Sequence, residues 1–201
     1  MYGAKFDMNV YDFDKTIFDG DAEDRFFRFI FQKKGFRHYW LVYWWNEFLL
    51  KCKLRTKTKT RRNEYQFLRK IEDIDAVLEE YWDLVEKHMM PWYSTARRDD
   101  DVIATGTPGF LMEPIIRRLG IKHMIATKMD KKTGEIDGLF AVGEPKAKAF
   151  LQVYPEGSID NFYSDAWSDH FMAELAKKAW IVRGNGELTE WNEFFANHPK
   201  K

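Results

Sequence analysis

The sequence predicts an α/β protein: a parallel sheet covered by helices on both faces, with an all-helical subdomain inserted after the first strand. Three observations carry this expectation. Short apolar runs at residues 8–14, 101–106, 122–127, 159–164 and 179–183 each end in polar or small residues. Segments of helical periodicity separate most of them, and such alternation marks a parallel sheet. Between the first run and the second, roughly residues 20–95, no comparable strand signal occurs. A parallel crossover does not need that many residues, so the stretch reads as an insert.

The first run opens into Val10-Tyr11-Asp12-Phe13-Asp14-Lys15-Thr16. Two carboxylates two residues apart at a strand end can ligate a hard cation or divide nucleophilic and acid–base roles. The competing reading is an Asp-rich turn that caps the next helix, a role open to Asp21 as well. The insert then reads as four helices, Glu23–Lys33, Tyr39–Cys52, Thr60–Ile71 and Ala76–His88. Within it, the aromatic run Tyr39–Leu50 is too short to span a bilayer. It reads as apolar core of the insert, shielded from any membrane. The competing reading is an interfacial helix, extending with the following basic residues over 39–62. The basic segment Lys51–Arg62 reads as a solvated loop, or else as a source of cations for a substrate anion.

After the insert the second run ends in Thr105-Gly106-Thr107-Pro108, a hydroxyl and an unhindered amide ahead of the helix Phe110–Leu119. That arrangement suits a phosphate oxygen. Residues 128–141 carry two turn signals, Thr133-Gly134 and Asp137-Gly138, and predict a small hairpin or loop. Gly143-Glu144-Pro145-Lys146 opens the helix Lys146–Val153, with Lys148 a rival to Lys146 for any functional role. The fourth run ends in Tyr163-Ser164-Asp165, with Asp169 four residues on and a helix over Asp169–Lys178. Trp191–Asn197 closes the chain as a terminal helix. These polar groups fall at the carboxyl ends of successive strands, where open parallel sheets bind ligands.

Composition narrows the setting. The 201 residues balance 32 Lys and Arg against 32 Asp and Glu, so no net charge draws the chain to nucleic acid. A single cysteine, Cys52, excludes an intramolecular disulfide and points to a reducing compartment. The N-terminal residues show no apolar signal region, and the expected location is cytoplasmic. Five scattered histidines lack the close pairing of a zinc site.

The order Asp12-Phe13-Asp14-Lys15-Thr16, Thr105, Lys146, then Asp165 and Asp169 resembles the four motifs of the haloacid dehalogenase-like superfamily. The blocks Ile103–Pro108, Gly143–Lys146 and Tyr163–Asp169 are similar to its phosphoserine-phosphatase-like branch, and the insert looks like the helical cap of that branch. The resemblance implies a Rossmann-like core over residues 1–20 and 95–201 and a helical cap over 21–94. It implies a magnesium-dependent phosphatase acting on a small phosphorylated metabolite, with Asp12 as nucleophile and Asp14 as acid and base. Thr105, Gly106 and Lys146 would bind the phosphoryl group. Asp12, Asp14 through its backbone carbonyl, Asp165 and Asp169 would hold Mg2+, the last directly or through a neighbour. Asp21 stands where phosphoserine phosphatases place a glutamate, so Asp21 and Glu23 become candidate substrate contacts. Lys15 stands where glycine is frequent. Two alternatives accompany this expectation: a lipid-head-group phosphatase docking through its cap, and a non-catalytic binder of phosphorylated ligands.

Overall fold

The computed structural model describes residues 7–155, 158–184 and 186–198. The N-terminal residues 1–6, on which the absence of a signal region was read, lie outside them. The chain runs β1 (Asp7–Tyr11), α1 (Ala22–Gln32), α2 (Tyr39–Lys51), α3 (Lys57–Glu64), α4 (Ile74–Val85) and α5 (Pro91–Ala96). It continues with β2 (Val102–Pro108), α6 (Gly109–Arg118), β3 (His123–Thr127), α7 (Glu144–Val153), β4 (Ser158–Ser164), α8 (His170–Ala173), β5 (Ala176–Arg183), β6 (Glu187–Glu190) and α9 (Trp191–Asn197). Six strands form one sheet in the order β3-β2-β1-β4-β5-β6, parallel except for β6. This is a Rossmann-like α/β fold. The chain moves outward from β1 on one side and returns to the other side at β4, so the carboxyl end of β1 lies at the reversal of strand order.

Strand alternation divides the core. Tyr11 and Ile103 face one layer, with α1, α4 and α6. Val10, Val102 and Ala104 face the other, with α7, α8 and Trp191. The inserted helices share the first layer with the sheet. Trp82 of α4 is fully buried, donates its indole N–H to the Leu111 carbonyl of α6 at 2.7 Å, and packs edge-on against Phe13 and Phe18. Tyr81 donates to the Ala22 carbonyl at 2.7 Å. Asp21 caps α1, its carboxylate accepting from the Asp24 N–H at 2.9 Å. The hairpin expected over 128–141 forms around a single bridge, Met129 to Ile136. It is tied to the insert by Arg62 and Arg69 on Glu135 and by Lys131 on Asp75.

Four expectations are corrected. The helix over Asp169–Lys178 is only the single turn of α8, because Ala176–Lys178 joins β5 and Lys178 sits in register with Asn161 of β4. The helix expected from Thr60 starts at Lys57, capped by the Thr56 hydroxyl, and ends at Glu64. A tighter 3-10 turn over Tyr65–Lys70 follows, burying Tyr65, Phe67 and Leu68 together. The basic segment is therefore not a loop along its second half. Lastly, the run Tyr39–Leu50 is helical but does not serve as shielded core. Only Tyr39 and Asn46 are buried along α2, while Leu41, Trp44, Trp45 and Phe48 are 75%, 63%, 60% and 53% exposed. The large aromatics of α1 and of Tyr65–Leu68 already fill the layer beneath it. Among the described residues no helix is long and apolar enough to cross a membrane.

Trp82 ties the insert to the sheet layer, so Trp82→Ala should destabilise the protein by about 3–5 kcal/mol in chemical denaturation. Trp82→Phe keeps one aromatic ring but loses the bond to the Leu111 carbonyl, and should cost about 1–3 kcal/mol.

Candidate active site

Past the end of β1 the side-chain alternation persists for three residues. Phe13 points into the core against Phe18 and Trp82. Asp12 and Asp14, on either side of it, therefore point the opposite way. The Asp12 N–H donates to the Tyr163 carbonyl of β4 at 2.9 Å, and the N–H groups of Thr16, Ile17 and Phe18 converge on the Phe13 carbonyl, closing a tight turn. Lys15 within that turn has a φ of 56°, the left-handed region that favours glycine. Its ammonium offsets part of the crowding on Asp165.

These residues open onto a cavity of about 200 Å3 lined by Asp12, Asp14, Asp165, Asp169 and Lys146, together with Gly106 and Thr107 of β2. Asp21, Glu23 and Arg61 reach it from the insert, and Phe140 and Val142 from the segment before α7. Lys146 is buried, and its Nζ lies 2.9 Å from Asp12 Oδ1 and 2.8 Å from Asp169 Oδ1. Gly143, at φ 69° and ψ −137°, turns the chain into α7 and sets Lys146 in its first turn. Lys148 pairs instead with Glu144 on the outer surface, which decides between the two lysines as cavity residues. Asp169 uses both carboxylate oxygens, one on Lys146 and the other accepting from the Ser164 hydroxyl at 2.8 Å. It holds the lysine in place.

Asp14 accepts from the Ala22 N–H at 2.7 Å and from the Thr107 hydroxyl at 2.8 Å. Thr107 was not singled out from the sequence. The Thr105 hydroxyl instead accepts from the Thr107 N–H at 3.1 Å, and the residue lies fully buried away from the cavity lining. Gly106 and Thr107 line the cavity where Thr105 was expected, and Thr105 shapes their turn. The only available signal was the hydroxyl two residues further on, in the same Thr-Gly-Thr block. A side chain at Gly106 would bring Cβ to 2.7 Å from a Val142 methyl, so the glycine answers a close approach.

Electrostatics follow from burial. Asp12 is pushed up to about 7 by loss of solvent; Lys146 opposes this and Asp169 and Asp165 add to it. Asp14 is raised well above the usual carboxylate range by burial, then by Asp21 and Asp12. Burial disfavours the Lys146 ammonium, but Asp12 and Asp169 outweigh that and raise its pKa. Six carboxylates face two cations in this cavity, a surplus that a hard divalent cation would relieve. The donors are oxygen only, as magnesium requires. Among the described residues no group of three His, Cys, Asp or Glu side chains stands ready as a preformed cage. Asp12, Asp14 and Asp165, all lining the cavity, could supply oxygen donors to such an ion, while Asp169 is taken up by Lys146 and Ser164.

A family model for haloacid dehalogenase-like hydrolases matches residues 10–174, most of the chain. The chain belongs to the haloacid dehalogenase-like hydrolases. No curated protein matches it. Solved structures share its fold at low identity. A protein of unknown function from Bordetella pertussis Tohama I superposes with a TM-score of 0.75 at 17% identity, over 96% of each chain. A probable phosphoserine phosphatase from Vibrio cholerae gives 0.61 at 14%, over 94% of this chain and 58% of that one. A phosphoserine phosphatase in its apo form gives 0.54 at 17%, over 87% and 85%.

The wall that the insert contributes to this hydrolase has its own charge problem. Arg61 lies 3.0 Å from both Glu23 and Glu64, and one guanidinium cannot neutralise two buried carboxylates. Burial pushes Glu23 up to about 7, with Arg61 opposing and Asp21 adding, and pushes Glu64 up to about 8, with Arg61 opposing and Glu23 adding. Both groups bind protons more tightly folded than unfolded, where 4.5 is usual. Their stabilising contribution is therefore complete below the unfolded value and is lost as pH rises through 7 and 8. Denaturation of the chelator-treated protein across this range should show stability falling with pH. Glu64→Gln should flatten that fall by up to about 1.4 kcal/mol per pH unit, the value of one proton. An unchanged slope would mean that Glu64 is ionised throughout.

Proposed function

We propose that the chain is a magnesium-dependent phosphatase that hydrolyses a small phosphomonoester through an aspartyl-phosphate on Asp12. The observation that carries this reading is the buried Lys146 held between Asp12 and Asp169, in a cavity that also receives Asp14 and Asp165. Membership of a hydrolase family agrees with it, as do the shared folds of proteins named as phosphoserine phosphatases. In this reading residues 1–20 and 95–201 form the catalytic core and 21–94 the cap that closes over it, and the enzyme is cytoplasmic.

Each side chain then has a task. The phosphoryl group sits against the Gly106–Thr107 backbone and Lys146, whose ammonium balances its oxygens. An Asp12 oxygen attacks phosphorus while the bond to the leaving alcohol breaks, and Asp14 gives that alcohol its proton. Burial, with Asp21 and Asp12 nearby, raises the proton affinity of Asp14, which favours its acid role in this step. Asp14, now a carboxylate, takes a proton from water, which attacks phosphorus and releases Asp12. Thr107 and the Ala22 N–H hold Asp14 in position for both transfers. Asp12, Asp165 and the Asp14 carbonyl would hold magnesium, which when bound supplies positive charge to the phosphoryl oxygens. Asp21, Glu23 and Arg61 face the remainder of the substrate.

Two tests follow. Asp12→Asn should abolish hydrolysis of an aryl phosphate with the fold intact, and Asp14→Asn should lower turnover by roughly a hundred- to ten-thousand-fold. Chelator should silence the enzyme and magnesium restore it; full activity in excess chelator would exclude the metal role.

A further inference from the structure

The outward face of α2 takes no part in the chemistry described. Leu41, Trp44, Trp45 and Phe48 stand at i, i+3, i+4 and i+7, one stripe of a helix. All four are more than half exposed, and Trp45 stacks on Phe48 at 5.6 Å. Apart from Leu54, the other large exposed apolar side chains lie away from the stripe: Leu84 on α4, Leu139 before α7, Leu151 and Val153 on α7, and Leu188 on β6. A contiguous aromatic stripe in water is unfavourable unless something covers it. The opposite side of α2 is fixed in place: Tyr39 is buried, the Tyr43 hydroxyl donates to Asp24 of α1 at 3.1 Å, and buried Asn46 accepts from Asn63 of α3 at 3.4 Å. Rotating the stripe inward would break that anchorage.

Charge identifies the partner. The chain as a whole is neutral, yet residues 33–62 hold ten Lys and Arg and a single acid, Glu47. Lys33, Arg61 and Arg62 pair with acids from elsewhere, and the remaining cations leave this stretch basic. Lys34 and Arg37 precede the stripe and are exposed; Lys51, Lys53, Lys57 and Lys59 follow it and are exposed, with Leu54, itself 73% exposed, among them. Tryptophans on one helix face with lysines at both ends suit the boundary between lipid headgroups and acyl chains. There the rings sit at headgroup level and the ammonium groups reach lipid phosphates. A second copy of this chain would set basic flanks against basic flanks, as would any basic protein.

We propose that the α2 face Leu41–Phe48, with the flanking lysines, docks the protein peripherally on an anionic phospholipid surface. Asn46, on the inner side of this helix, accepts from Asn63 of α3, the helix that carries Arg61 into the cavity. The proposal stands whether or not the phosphatase reading holds, because its readout is binding.

Co-sedimentation of the full chain with phosphatidylglycerol–phosphatidylcholine vesicles tests it, with tryptophan emission read in parallel. Binding with a blue shift is expected on these vesicles, none on pure phosphatidylcholine, and release between about 0.1 and 0.5 M salt. Trp44→Ser with Trp45→Ser should abolish the shift. Lys51→Glu with Lys53→Glu and Lys57→Glu should weaken binding by about a hundredfold. Circular dichroism and thermal midpoints should show both variants folded, since every substituted side chain points outward. Absence of binding to the anionic vesicles would overturn the proposal, as would binding that ignores charge and salt. So would a dimer in sedimentation velocity that the tryptophan variant dissolves, for the stripe would then be covered by a second copy.

Discussion

The site depends on one constraint, the burial of Lys146. A buried ammonium is tolerable only when carboxylates surround it, and the two that do so come from opposite ends of the sequence. Asp12 stands at the end of the central strand, and Asp169 follows the strand that returns beside it. The sheet order, the Gly143 turn that starts α7 and the Ser164 hydroxyl that fixes Asp169 all bear on bringing both carboxylates within 3 Å of the Lys146 ammonium. The arrangement overshoots neutrality, with Asp14 and Asp165 adding further negative charge. That surplus would be relieved by a cation, and with burial it raises the proton affinity of Asp14.

The insert is built into the same economy of burial. Its helices have no separate core, because Phe26, Tyr65 and Trp82 pack in one layer with Tyr11, Phe13 and Leu111. Arg61 reaches the cavity from α3 because Glu23 and Glu64 accompany it inward, and the hairpin before α7 grips the insert through Glu135. The wall that would face a substrate is thus held from two sides.

Much of this was legible in the sequence. Asp12, Asp14, Gly106, Asp165 and Asp169 reach one cavity because each sits just beyond or beside a strand end, and strand ends follow from apolar runs; Lys146 joins them from the first turn of α7. Legibility failed where tertiary context overrides local pattern. Phe171-Met172-Ala173-Glu174-Leu175 has helical spacing, but pairing with β4 claims the chain from Ala176. Thr105 and Thr107 are equivalent hydroxyls in sequence; only the turn geometry sends one to a backbone N–H and the other to Asp14. The aromatic run of α2 carried an unmistakable helix signal. No periodicity could show that neighbouring aromatics had already filled the core, which turns Trp44 and Trp45 outward.

The central claim is that Asp12 becomes phosphorylated, and trapping the acyl phosphate tests it most directly. Enzyme turning over an aryl phosphate would be quenched with borohydride, which reduces an aspartyl-phosphate to homoserine, and the peptide spanning residue 12 sequenced by mass spectrometry. The account predicts homoserine at position 12, dependent on substrate. Undiminished turnover with Asp12 unmodified, or reduction at a different carboxylate, would contradict it.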